Sequence, residues 1–281
     1  MTLTPTANYC DRQWDFFQKN LGEWHGSFVK YAPDGSLIDE LPTMVTVTPA
    51  DGQSVQIAVD YLTDRERNVT WTFGSVPGDM LCFENGEFSR GDKWVHGLSN
   101  AGFEQGLIHP PSRLRAVQVY KAGELEKVVL IHESLSNHEA LPNSPEQGPP
   151  LTPQELVGVW AGEAISWSVR VPEPSRYSTR LQVDISGNQL IQQLSFGDRT
   201  LSSSATINGA VLQFNNSPVP MQMLLLPGGA SSNCPLKIPT GHPFVAELGW
   251  LISTNLRQRM IRSYDKSGNW ESTTLVKERR A

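Results

Sequence analysis

At 281 residues, with 38% apolar and 19% charged residues, the chain has room for one large or two ordinary folded units. A formal charge of −6 offers no basic face, so neither nucleic acid nor an anionic membrane surface is an expected partner. The 3 cysteines, Cys10, Cys82 and Cys234, are scattered without Cys-x-x-Cys spacing, which argues against a disulfide framework or a structural zinc site and for a reducing cytoplasm.

The chain opens MTLTPTANYCDRQWDFF, with no basic segment leading into an apolar run, so no secretory or transit leader is expected. Asp11 can cap a helix running to Asn20, with Trp14, Phe17 and Leu21 on one side. Gly22-Glu23-Trp24-His25-Gly26 follows, a Gly-x-Trp-x-Gly phrase of the kind that begins lipocalin-like barrels. Short runs of period two come next, such as Val45–Thr48 and Val55–Val59, which are half-buried strands. They are separated by hairpin signals such as Asp51-Gly52, Asn85-Gly86 and Ala122-Gly123. Trp94 and Phe103 bracket a Gly/Ser/Asn stretch and are expected at an open barrel mouth. The stretch from Asn137 to Thr152 holds Pro142, Pro145, Pro149 and Pro150 and reads as a linker. Thr152-Pro153-Gln154-Glu155 is a capping box that starts a second short helix. Gly158-Val159-Trp160-Ala161-Gly162 then repeats the opening phrase, and a second set of alternating runs follows. Within it, Ser217 to Phe244 reads as a long insertion carrying Met221, Met223 and Leu225; it is either a flap over a cavity or a cover for the surface between the halves. Its longest aliphatic run, Met223 to Leu226, is far too short to span a bilayer.

The repetition extends beyond the opening phrases. Glu104-Gln105-Gly106 matches Glu247-Leu248-Gly249, Arg113-Leu114-Arg115 matches Arg257-Gln258-Arg259, Tyr120 matches Tyr264, and Glu133 matches Glu278. Matches in this order and at near-constant offset mean duplication. The expected fold is all-β: two tandem lipocalin-like antiparallel β-barrels, each preceded by a short helix, over residues 1–137 and 152–281, with a Pro-rich linker at 138–151. In such barrels a guanidinium lies across the indole of the opening strand. Trp24 is expected to take Arg115 or Arg113, and Trp160 to take Arg259 or Arg257.

The segment Lys19–Phe28, the hairpin Phe83–Phe88, Gly106–His109, Leu226–Pro235 and the ending Arg257–Tyr264 together resemble a cyanobacterial family of unknown function, nearly end to end. The resemblance implies a lipocalin-like (calycin) fold with distant kinship to the phycobiliprotein chromophore lyases. It brings no activity with it, and fold-level analogy is weak ground for one.

Catalytic candidates are few. Glu104 and Glu247 would be general acids if desolvated inside a barrel, or structural carboxylates paired with the girdle arginines. His109 lies near an expected barrel mouth. Cys234, in a Gly/Ser/Pro loop, is expected to be the more accessible thiol and Cys82 a core residue. No histidine or cysteine grouping has metal-ligand spacing, and no cofactor motif appears. The leading functional expectation is a binding or carrier protein for a hydrophobic small molecule (a pigment, an isoprenoid or an acyl chain), with Trp94, Phe103, Met221, Met223 and Leu225 as ligand contacts. A cofactor-independent lyase, isomerase or cyclase acting on a polyene or tetrapyrrole, and an assembly factor with a protein partner, are the alternatives.

Overall fold

Alternating apolar residues and closely spaced glycine turns leave this chain little choice but antiparallel sheet, and sheet occupies most of it. The structure is a computed structural model describing residues 9–52, 54–136, 148–171 and 173–281. Helix α1 spans Tyr9–Phe17 and runs on as a 3-10 turn to Asn20. It begins two residues before Asp11, whose side chain is outside the described residues. The first sheet has nine strands: β1 Gly22–Tyr31, β2 Leu37–Pro49, β3 Val55–Tyr61, β4 Val69–Phe73, β5 Met80–Cys82, β6 Phe88–Gly91, β7 Ala101–His109, β8 Ser112–Lys121 and β9 Glu124–Leu135. Its order is β4-β3-β2-β1-β9-β8-β7-β6-β5, so the sheet curls but stays open between β4 and β5.

Helix α2, Pro153–Leu156, introduces the second half. The Glu155 carboxylate accepts from both the backbone N–H and the hydroxyl of Thr152, at 2.8 and 2.6 Å. Ten strands follow: β10 Gly158–Ser168, β11 Ser175–Ser186, β12 Gln189–Phe196, β13 Arg199–Asn208, β14 Val211–Phe214, β15 Met221–Leu225, β16 Ala230–Pro235, β17 Phe244–Ser253, β18 Leu256–Tyr264 and β19 Trp270–Arg280. They form a closed barrel in chain order, with β19 back on β10. The apolar part of the expected Ser217–Phe244 loop is therefore barrel wall: the Met221–Leu225 strand pairs with Ala230–Pro235 rather than hanging as a flap. Of the expected linker, residues 138–147 lie outside the described residues.

The halves keep the same register. Gly106 faces Arg115 and Gly249 faces Arg259; Arg113 faces Glu133 and Arg257 faces Glu278. This explains the second glycine of each opening phrase. A Cβ on Gly26 would meet the His132 carbonyl at 2.0 Å, and one on Gly162 would meet the Glu278 side chain at 2.8 Å. No other residue lets the opening strand lie so close to the last one.

The halves pack back to back, and one apolar core runs across the seam. Phe103, Leu107, Leu114, Ala116 and Tyr120 of the first sheet meet Phe244, Leu248, Trp250, Met260 and Tyr264 of the second. The polar ties are reciprocal. The Tyr120 hydroxyl donates to the Pro235 carbonyl at 2.6 Å, and the duplicated Tyr264 hydroxyl donates to the Asp92 carbonyl, also at 2.6 Å. Short backbone bridges pair Trp94 with Asn269 and Glu124 with Lys237 in the same crossed fashion. The seam thus has the self-complementary character of a two-fold interface, although both partners belong to one chain.

Candidate functional site

The opening between β4 and β5 leads to a cavity of about 350 Å³. Its walls follow from the period-two pattern: Val45 and Val47 on β2, Ile57 and Val59 on β3, and Trp71 and Phe73 on β4 all face inward. Phe17 of helix α1 closes one side, with its ring 5.2 Å from that of Phe73. The helix also meets the free edge of β5. The Gln13 side-chain amide donates to the Cys82 carbonyl at 3.1 Å and accepts from the Cys82 N–H at 2.7 Å, replacing the strand the sheet lacks there.

The cavity floor is charged. Arg115 donates to Glu104 at 2.8 Å and to both oxygens of Glu133 at 2.9 Å, so all three of its nitrogens are engaged. Arg113 donates from Nε to Glu133 at 2.8 Å and from Nη1 to the Asn20 side chain at 3.1 Å. Burial alone would raise the Glu133 carboxyl, but the two guanidiniums outweigh it and hold the group below the usual carboxylate range. Arg90 stands at the wall, exposed and 3.4 Å from Asp79.

The second half repeats the quartet. Arg259 donates to Glu247 at 2.7 Å and to Glu278 at 3.2 Å, with Arg257 3.8 Å from Glu278. Burial pushes Glu247 up, and Arg259 more than offsets it, so this carboxyl also lies below its ordinary range. Inside the barrel, Leu181, Val183, Leu190, Leu212, Phe214, Met223 and Leu225 form a packed cluster above Trp160.

The girdle differs between the halves. Trp24 donates to the Asn20 carbonyl at 2.9 Å, and Trp160 to the Leu156 carbonyl at 3.0 Å, the same contact four residues back. The cation over Trp24 is Arg113, at 4.2 Å; Arg115 lies instead over Phe28, at 5.5 Å. Over Trp160 neither Arg259 nor Arg257 takes the place: it is Arg280, at 4.4 Å. The reason lies in the register. Trp160 faces Arg280 on the last strand, where Trp24 faces Leu135. Arg280 is long enough to cross the indole and donate to the carbonyls of Glu155 and Thr254 at 2.8 and 2.7 Å. Arg259 is left to its two carboxylates.

The other expected site residues are dispersed. Phe103 is fully buried, but in the seam, 5.5 Å from Tyr120 and 5.1 Å from Tyr264. Alternation sends Glu104 into the first half and so sends Phe103 out, and outward here is the other half. Trp94 is 56% exposed, and its indole donates across the seam to the Ser267 carbonyl at 3.1 Å. Met221, Met223 and Leu225 face the interior of the closed barrel. None of these five lines the cavity. His109 is exposed at the β7–β8 turn, its ring edge-on to Trp250. Glu104 alone among the catalytic candidates touches the cavity, bound to Arg115. Cys234 is buried, contrary to expectation, and burial carries its thiol up to about 12; Cys82 is buried too. The cavity valines, Trp71 and Phe73 carry a plain signal in the sequence, their alternation. What it lacked was the gap in the wall.

Duplicated all-β halves, each with a capped indole and a buried quartet of charges, define a tandem antiparallel β-barrel protein with one barrel closed and the other open. The chain belongs to the DUF3598 family. Its fold is that of a protein of that family from the cyanobacterium Nostoc punctiforme, 38% identical over 96% of this chain and 99% of that one, with a TM-score of 0.89. Residues 10–138 match the N-terminal domain of unknown function DUF3598. Residues 147–281 match the C-terminal domain described as that of biogenesis factor required for ATP synthase 1. An S-type phycobiliprotein lyase from Guillardia theta aligns over 46% of this chain and 90% of that one, at 10% identity and a TM-score of 0.34. No curated protein matches the chain. Among the described residues, no helix is long and apolar enough to cross a membrane.

Proposed function

We propose that this protein binds a hydrophobic small molecule in the cavity of its first half. One observation carries the reading: a cavity of about 350 Å³, walled by valine, isoleucine and aromatic side chains, reached through a gap where the sheet lacks a strand. Volumes of roughly 300–1,000 Å³ with apolar walls and a few oriented polar groups suit small-molecule sites. The scattered cysteines, free at Cys82 and Cys234, favour a cytoplasmic setting. Titration with the neutral fluorophore N-phenyl-1-naphthylamine tests the reading. Saturable one-site binding is expected, abolished by Val59→Trp; no saturable signal in the wild type would remove the proposal.

A second reading, an assembly factor with a protein partner, is favoured by the match of residues 147–281 to the biogenesis-factor domain. The two readings separate in cells. If deletion lowers the amount of assembled ATP synthase and a Val59→Trp chain restores it, assembly does not need the cavity. If Val59→Trp fails to restore it while remaining folded, binding and assembly are linked.

A further inference from the structure

An acceptor and a donor stand side by side in the cavity lining without serving each other. Glu104 on β7 and Arg90 on β6 are directly opposite in the sheet, so their side chains leave the same face, and both line the cavity. Glu104 gives one oxygen to Nη1 of Arg115 at 2.8 Å, and its side chain is still 26% exposed. The other oxygen, Oε2, has no partner among the described residues. This carboxylate is held in place, because Arg115 is itself clamped by both oxygens of Glu133. Arg90 turns only Nε toward a carboxylate, Asp79, at a long 3.4 Å, and its two Nη atoms have no acceptor among the described residues. It is half exposed and weakly tied, so it can close on a group that docks beside Glu104.

A molecule that covers both side chains takes them out of water, and each then needs a partner. A hydrocarbon end serves neither. A ketone or aldehyde accepts from Arg90 but gives nothing to Glu104. A carboxylate accepts from Arg90 but sets a like charge against Glu104, and an ammonium donates to Glu104 but sets one against Arg90 and Arg115. The local charge is already balanced, with Arg90, Arg113 and Arg115 against Asp79, Glu104 and Glu133. A hydroxyl is the smallest neutral group that does both tasks: it donates its proton to Oε2 of Glu104 and accepts from an Nη of Arg90.

We infer that the bound molecule is an apolar chain or ring ending in a hydroxyl, held between Glu104 and Arg90. The inference rests on the cavity reading above. The hydrocarbon part then lies along the valine and aromatic walls.

The test uses the full chain and five ligands of nearly equal size: 1-nonanol, 1-nonene, 2-nonanone, nonylamine and nonanoate. Each is titrated at neutral pH against bound N-phenyl-1-naphthylamine. A cavity without polar partners favours the alkene, since a hydroxyl that leaves water unpaired is penalised. Paired on both sides, nonanol is expected to displace the probe about tenfold more effectively than the alkene, and more effectively than the ketone, the amine or the carboxylate. Glu104→Gln gives a readout that a merely structural role would not move. Arg115 can pair only with the amide oxygen, so the amide N–H groups take the place of Oε2 and the pair offers donors alone. That variant should favour the ketone over the alcohol. Arg90→Met, at an exposed position, should remove most of the alcohol's advantage over the alkene; should Glu104→Gln fail to fold, this variant and the wild-type order decide. Any of the other four ligands matching or exceeding nonanol in the wild type overturns the hydroxyl assignment and leaves the cavity reading standing, as does a folded variant of either kind that keeps the wild-type ratios. If neither the fluorophore nor any of the five binds, both fall together.

Discussion

The two halves carry the same buried quartet and the same capped indole, yet one closes into a barrel and the other does not. The difference is a single strand. In the second half, β14 (Val211–Phe214) bridges β13 to β15 by hydrogen bonds on both sides. In the first half the chain passes from β4 to β5 through Gly74-Ser75-Val76-Pro77-Gly78-Asp79, too short and too rich in glycine and proline to supply a strand. The missing strand opens the interior, and the cavity lies behind the gap. Duplication thus preserved what holds each half together and relaxed what encloses it. The charged quartet serves as scaffold in both, and in the open half it also forms the floor of a cavity.

The halves share one seam, and separating them is the most severe test of their equivalence. Residues 9–136 produced alone would expose Phe103, Leu107, Leu114, Ala116 and Tyr120, a contiguous apolar face that belongs to the common core. We expect that fragment to aggregate or to lack a cooperative thermal transition, and the same for residues 148–281. Gel filtration and calorimetry of the fragments decide this. A monomeric, cooperatively folding first half would mean that the seam is dispensable and that the halves are independent domains.

The next largest effect separates the quartets. Glu133 accepts three hydrogen bonds of 2.8–2.9 Å from two guanidiniums, whereas Glu278 accepts one of 3.2 Å and lies 3.8 Å from Arg257. Removing one member of a buried ion pair typically costs about 3–5 kcal/mol. Glu133→Gln is expected within that range and Glu278→Gln below it, as read from urea midpoints. Equal losses would show that the tighter geometry of the first quartet has no energetic meaning.

Much of this was legible before any coordinates, and the failures share a cause. The duplication and the all-β class were legible in the sequence, carried by residues that the fold sets opposite one another: Gly26 with Glu133, Gly106 with Arg115, and their copies. Which arginine covers Trp160 was not legible, because it depends on what stands opposite the indole, Leu135 in one half and Arg280 in the other, at the far end of the last strand. Phe103 was misplaced for a related reason. Alternation tells which face a side chain takes, but not whether that face meets solvent, a cavity or another sheet. Cys234 followed the composition of its neighbours, glycine, serine and proline, which here form a buried strand against the seam.

His132 offers a test confined to the seam. Its ring is buried edge-on to Trp250, with centroids 5.5 Å apart, and burial lowers its pKa to about 4, the charge of Glu133 acting weakly the other way. The folded state therefore holds the neutral ring. The unfolded chain binds a proton near pH 6.5 and the folded chain only near 4, so stability is full above 6.5 and falls as the pH drops between those values. A shift of this size corresponds to roughly 3 kcal/mol across the window. Denaturation midpoints measured from pH 7 to pH 4 should show the loss in the wild type and a much smaller slope in His132→Met. An unchanged slope in the variant would move the acid sensitivity to other groups.

The finest test places the same change at matched positions. Val47 faces Gly22 and Val183 faces Gly158, so the two valines are copies of one ancestral position, and both are buried. Val47 borders the cavity, whereas Val183 sits in the packed cluster over Trp160. Phenylalanine at either site adds volume of the same shape in the same register. Overpacking a filled core costs about 1–3 kcal/mol, because neighbours must leave their rotamers, but adding bulk beside empty space replaces a void with contacts. Val183→Phe should therefore lower the urea midpoint while Val47→Phe leaves it unchanged or raises it slightly, and Val47→Phe should weaken N-phenyl-1-naphthylamine binding where Val183→Phe does not. Equal destabilisation at both sites would mean that the first half is as full as the second, and that the absent strand opens nothing a ligand could enter.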